Sequence, residues 1–317
     1  MIAESFRNAS HFFKIFFVLF VILIGFLVFM ALGLVIAIPV FGLELSSLKA
    51  ALDPSNIENT SLLKFFQSMY SIGLFAFPPL IVAWFFSGKI WDYLKLNKRP
   101  DIILIILSAI IVVAAFPIIN FLVEINEKVN FPDSMSAFEN LMKEFENEAQ
   151  KTTQTFLSTD SFSVYLVNIL VMAVIPALGE ELLFRGVFQR LFHEWSKNIH
   201  VAIWISAFLF SAMHMQFYGL VPRMVLGAFL GYLFYWSGSL WLPIIAHFIN
   251  NGIAVTMFYI KGEVAEKAET IGTEEGVSML LYTSIIIVSA LIYSFYRVSK
   301  EKKIKLATSN PINESNG

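Results

Sequence analysis

Eight apolar stretches recur along this 317-residue chain and constrain its fold more than any other feature. They are Ile15–Phe41, Leu62–Phe86, Ile102–Val123, Phe162–Leu178 (running on through a charged cluster), Val201–Met213, Met224–Trp236, Leu240–Ile260 and Val277–Tyr296. About 20 residues of apolar helix cross a hydrocarbon core of roughly 30 Å. Backbone N–H and C=O groups find no water there, so each spanning segment must satisfy them internally. The expectation is an all-α, polytopic membrane helix bundle of about eight transmembrane helices, with the fifth and sixth stretches short by this measure. Composition agrees: 57% of residues are hydrophobic and 15% charged, and the mean hydropathy is +0.71. Such values lie outside the soluble range.

The first stretch is longer than a signal-peptide core of about 7–15 residues and has no small-residue cleavage site after it, so it is expected to be retained. There are no cysteines, which excludes disulfides, thiolate metal sites and a cysteine nucleophile.

Basic residues alternate between connections. Lys89, Lys95, Lys98 and Arg99 follow the second stretch, Arg190 and Lys197 the fourth, and Arg297, Lys300, Lys302, Lys303 and Lys305 the last. By the positive-inside rule these connections are cytoplasmic, which predicts an integral, multi-pass protein with both termini in the cytoplasm. The acidic connections Glu124–Asp160 and Glu263–Glu275 would face outward. In the first of these, Phe138, Leu141, Met142 and Phe145 recur at helical spacing, predicting an amphipathic helix that lies on the membrane or caps the bundle. The chain divides into an N-terminal region 1–161, a helical core 162–260 and a region 261–317 with an acidic loop, the last span and a basic tail.

Glu180, Glu181 and Arg185 sit inside one of these apolar runs. A charged side chain near the bilayer centre costs about 2.5–3.5 kcal/mol on insertion scales, so such residues mark functional sites by default. The i,i+4 spacing of Glu181 and Arg185 allows an ion pair, which can be purely structural, and leaves Glu180 unexplained. Of the five histidines, His214 closes the fifth stretch and His247 lies inside the seventh. Phe210 precedes His214 by one helical turn and Asn251 follows His247 by one, so each pair shares a helix face. Counting about 1.5 Å per residue from the cytoplasmic ends puts Glu180, His214, His247 and Asn251 near the same depth. Alone, each histidine would serve equally as interhelical glue and Asn251 more readily as glue than as a catalyst, with Asn250 on nearly the same face; the Gly227–Gly231 spacing marks a close-packing face. The coincidence of depth points to a shared site.

A carboxylate and a histidine on facing helices can hold a water and take its proton. A second histidine and an amide can donate to the oxyanion of a tetrahedral intermediate. No nucleophile elbow or Ser-His-Asp order suggests an acyl-enzyme, so direct attack by water on a peptide bond is the economical chemistry. Three motifs carry a resemblance: Glu180-Glu181-Leu182-Leu183-Phe184-Arg185, then Phe210 to His214, then His247 to Asn251. In this order the region 162–260 resembles the CPBP (Abi) family, which includes the type II CAAX prenyl endopeptidases. The resemblance implies an intramembrane endopeptidase in which Glu180 and His214 activate water. His247 and Asn251 would stabilise the oxyanion, and Glu181, Arg185 and Phe210 would support the site.

For a metal the reading stays open. Glu180, His214 and His247 match the ligand count of a catalytic Zn²⁺ site with one open position, yet the same residues serve without metal. The expected partners are the lipid bilayer and a membrane-embedded peptide or protein substrate, with prenylated CAAX-type substrates the best known of the family; no nucleic acid is expected. Two rivals are a proton-coupled transporter, for which no inverted repeat is found, and a non-catalytic membrane scaffold with an immunity or regulatory role.

Overall fold

The computed structural model describes residues 6–44, 60–129, 131–159, 161–261 and 274–309. Most of the acidic connection expected over Glu263–Glu275 lies outside the described residues. All eight apolar stretches are helical: α1 (His11–Phe41), α2 (Thr60–Ser87), α3 (Ile102–Ala114) with α4 (Phe116–Glu127), α6 (Phe162–Ser196), α7 (Ile199–Ala212), α8 (Leu220–Ser237), α9 (Trp241–Lys261) and α10 (Glu274–Ser309). Between α4 and α6 the acidic connection forms α5 (Ser136–Leu157). Among the described residues six helices are long and apolar enough to cross a membrane, or seven if α3 and α4, bent by 43°, make one span. The remaining stretch, α7, has only 14 residues, about 21 Å of rise, and stops short of a full crossing.

Local chemistry sets the helix ends. Ser10, Asp101 and Asn198 accept from backbone N–H groups in the first turns of α1, α3 and α7. Gly88 and Gly238 close α2 and α8 in the left-handed conformation, each at φ 71°, which a side chain would disfavour.

The basic connections meet at one end of the bundle. Arg7 donates to the carbonyl of Ser87, Lys14 pairs with Glu194, and Arg190 donates to the carbonyl of Tyr93. Ser239 and Trp241 donate to the carbonyls of Lys98 and Leu96, and Lys302 pairs with Asp101. The Asp101 carboxyl is held below the usual carboxylate range, chiefly by its hydrogen bond to Lys302.

Two apolar clusters hold the bundle together. One joins α1, α2 and α6 through Val18, Val82, Leu183 and Phe184; the other joins α3, α8, α9 and α10 through Ile111, Leu230, Leu242 and Phe295. Large apolar side chains such as Phe16, Phe20 and Leu27 on α1 and Ile286 and Tyr293 on α10 stay exposed. Faces of this kind suit lipid rather than water.

Candidate active site

Helix α6 carries the charged motif between two widened turns. Leu170–Val174 and Phe184–Phe188 are π-helical, and the α-helical stretch Ile175–Leu183 between them holds Glu180 and Glu181. Such insertions re-aim side chains and recur at functional sites. Pro176 explains part of the first. It has no N–H for the carbonyl of Met172, four residues back. The Asn251 amide donates to that carbonyl at 3.3 Å, from α9.

Arg185 is 1% exposed and Glu181 is fully buried, and their ion pair is 2.7 Å long. The second guanidinium nitrogen donates to the carbonyl of Gly227 at 2.8 Å, and the guanidinium carbon lies 4.7 Å from the centre of the Phe210 ring. One turn on, Gln189 donates to the carbonyl of Gly231 at 3.2 Å. The close-packing face expected at Gly227 and Gly231 is therefore also a pair of acceptors. A Cβ at Gly231 would come within 2.8 Å of Gln189 Oε1 and 2.9 Å of Ile203 Cγ2.

His247, 3% exposed, brings its Nδ1 to 2.8 Å from Glu181 Oε1, the oxygen that also takes Arg185. Its Nε2 lies 3.9 Å from Glu180 Oε2. Sequence spacing paired Glu181 with Arg185 and did not anticipate this second contact. Phe210 acts as the hub, packing edge-on against both His214 (5.2 Å) and His247 (5.7 Å).

His214 lies two residues beyond α7, in the loop 213–219 rather than at a helix end. Its Nδ1 is 2.9 Å from the carbonyl of Phe210. A carbonyl only accepts, so Nδ1 carries the proton and the neutral ring presents Nε2 as an acceptor.

Glu180, His214 and Asn251 line one cavity of about 420 Å³, within the range of small-molecule and peptide side-chain sites. Glu180 Oε2 is buried there without a hydrogen-bond partner among the described residues. Phe75, Phe156, Phe184 and Phe210 supply apolar wall, while Gln67, Tyr70 and Ser71 from α2 and Thr152 and Thr153 from α5 add polar groups that no motif had marked. Among the described residues no three His, Cys, Asp or Glu side chains come together as a metal-ligand set. Glu180, His214 and His247 thus do not fit a three-ligand zinc site in this arrangement.

The family described as type II CAAX prenyl endopeptidase Rce1-like matches residues 162–253. The similarity is confined to this segment, less than a third of the chain. Two Bacillus subtilis (strain 168) proteins resemble the chain: the uncharacterized protein YpbD, 28% identical over 90 residues, and the sporulation-killing factor biosynthesis protein SkfC, 34% identical over 93. Each match covers 27% of this chain, and 43% and 18% of the two relatives respectively. The chain therefore spans less than half the length of the curated relatives it matches. No solved structure matches it. The matched segment holds all three motifs, from α6 to Asn251, whereas the α2 and α5 walls of the cavity lie outside it.

Proposed function

We propose that the protein is an intramembrane endopeptidase that hydrolyses a peptide bond in a membrane-associated substrate with water activated by Glu180 and His214. The carrying observation is the unpartnered Glu180 oxygen in a cavity shared with His214 and Asn251. A buried carboxylate with a free lone pair, facing an imidazole acceptor, is suited to hold a water and remove its proton. The oxygen of that water attacks the scissile carbonyl carbon, and the proton taken by Glu180 passes to the leaving amine as the C–N bond breaks.

His247 and Asn251 are assigned to the oxyanion. Because Nδ1 of His247 is held by Glu181, the ring offers an Nε2–H only in its protonated form. One Asn251 N–H is committed to Met172, which leaves the other for substrate. Glu181 and Arg185 hold His247 in place. A prenylated CAAX-type peptide is the proposed substrate class, following the description of the matched family; Phe75, Phe156, Phe184 and Phe210 give it an apolar wall.

Cleavage of a membrane-tethered reporter peptide, prenylated and unprenylated, by the purified full-length protein tests this. Wild type is expected to cut while Glu180→Ala and His214→Ala do not. Equal cleavage by all three would refute the reading, and a proton flux through liposomes that depends on Glu180 would replace it with transport.

A further inference from the structure

Non-helical backbone at membrane depth persists only where protein satisfies it or where it lines a water-filled cavity. The loop 213–219 that carries His214 is non-helical and follows α7 after about 21 Å of rise. It begins where α7 stops short, and Met215 adopts φ 54°, uncommon for a residue with a side chain. Its polar groups are held from three sides. Asn126 donates to the carbonyl of Phe217 at 2.5 Å. Arg223 donates to the carbonyl of Gln216 at 3.3 Å and to its side-chain oxygen at 2.8 Å. From α5, the Glu146 carboxylate accepts from the Gln216 amide at 3.1 Å and from the backbone N–H of Tyr218 at 3.3 Å.

Glu146 shares a face of α5 with Ala149, Thr153 and Phe156, at i, i+3, i+7 and i+10. Those three residues line the cavity opposite Glu180 and His214. One helix face thus covers the cavity at its C-terminal end and grips the His214 loop at its start. The buried Phe156 anchors that end under the ammonium of Lys64. The N-terminal half of α5 is held less: Phe138 and Leu141 are 49% and 47% exposed.

We propose that Glu146 is a positioning residue: it latches α5 over the cavity and, through Gln216 and Tyr218, sets the loop that aims His214 at Glu180. The assignment of His214 to catalysis rests on the function proposed above; the latch itself does not. Opening α5 to admit a peptide and shifting His214 become one movement. Catalytic geometry is then restored only when the latch closes again.

The chain has no cysteine, so Thr153→Cys gives the only thiol, under the lid. Maleimide labelling of this variant, full length in liposomes, reads lid opening without any substrate. Adding Glu146→Ala removes two bonds to a charged acceptor and is expected to speed labelling about tenfold or more. Glu146→Gln keeps one of the two acceptor oxygens and turns the other into a donor, so its labelling is expected to fall between the parent and Glu146→Ala. Gln216→Leu removes one of the two bonds from the loop side and should speed labelling in the same direction but by less than Glu146→Ala; it decides the matter if the latter aggregates. Equal labelling in all variants, at unchanged melting temperature, overturns the latch. In the reporter assay Glu146→Ala, with Thr153 intact, should lower kcat with little change in KM. Faster labelling with unchanged kcat overturns the positioning of His214. Faster labelling in a protein that cleaves nothing supports the latch while overturning the protease reading.

Discussion

His247 Nδ1 lies 2.8 Å from Glu181 Oε1, across 66 residues of sequence, and so ties α9 to the charged turn of α6. The same oxygen takes Arg185 at 2.7 Å. The adjacent carboxylates therefore have different surroundings: Glu181 Oε1 takes two donors away from the cavity, while Glu180 lines the cavity; the Oε2 of each is buried without a hydrogen-bond partner among the described residues. That division leads to distinct consequences when each is changed.

Glu180→Gln keeps the volume and removes the base. Cleavage of a reporter peptide is expected to fall about 10²–10⁴-fold, the usual contribution of a general base. The melting temperature should hold or rise, because a buried charge without a partner disappears. A large loss of stability would show that Glu180 is structural.

Arg185→Met leaves the Glu181 charge buried beside His247 alone. Breaking a buried pair from one side costs about 3–5 kcal/mol. The double variant Glu181→Leu with Arg185→Met is expected to be less destabilised than the single one, since no charge is stranded. Thermal unfolding of the three proteins in one detergent checks the order, and the double variant should be inactive because His247 loses Glu181, its anchor.

Asn251→Ala leaves the carbonyl of Met172 without its donor, at a cost of about 1–3 kcal/mol. Adding Pro176→Ala returns an N–H in reach of that carbonyl and should recover part of the stability. A double-mutant cycle measures the coupling. Activity is expected to stay low in the double variant, since a backbone N–H does not replace the Asn251 amide in the cavity.

Gly231→Ala drives a Cβ to 2.8 Å from Gln189 Oε1 and 2.9 Å from Ile203 Cγ2, and overpacking of this kind costs about 1–3 kcal/mol. Gly252→Ala on α9 meets nothing nearer than the Phe248 ring at 4.0 Å. It should be neutral or gain up to about 1 kcal/mol of helix propensity. Parallel melting curves test the contrast.

Because Glu180, His214 and His247 do not form a ligand set here, chelation is expected to leave reporter cleavage unchanged. Loss of activity on chelation, restored by added zinc, would move water activation from Glu180 to a metal ion.

The helical stretches and the charged motif of α6 were legible from the sequence, though not the 43° bend between α3 and α4. The eight apolar stretches all became helix, because hydrogen-bond closure in an apolar medium is a local requirement. The acidic connection formed the expected amphipathic helix as α5, and the pairing of Glu181 with Arg185 followed from helical spacing. Less was visible at the cavity. Gln67, Tyr70, Thr152 and Thr153 carry no motif, and Glu146 was one acid among many in its segment.

Sequence alone determined the class of fold and singled out the polar side chains inside apolar stretches, since the rise per residue gives position along a helix axis. It did not determine rotation about that axis or which helices are neighbours. Those came only from packing, where Gly227 and Gly231 admit close approach, π-turns re-aim α6, and α5 folds over the site. Packing is why Glu181 faces His247 while Glu180, one residue away, faces the cavity: successive helical residues diverge by about 100°, and only the surrounding helices decide what each direction meets.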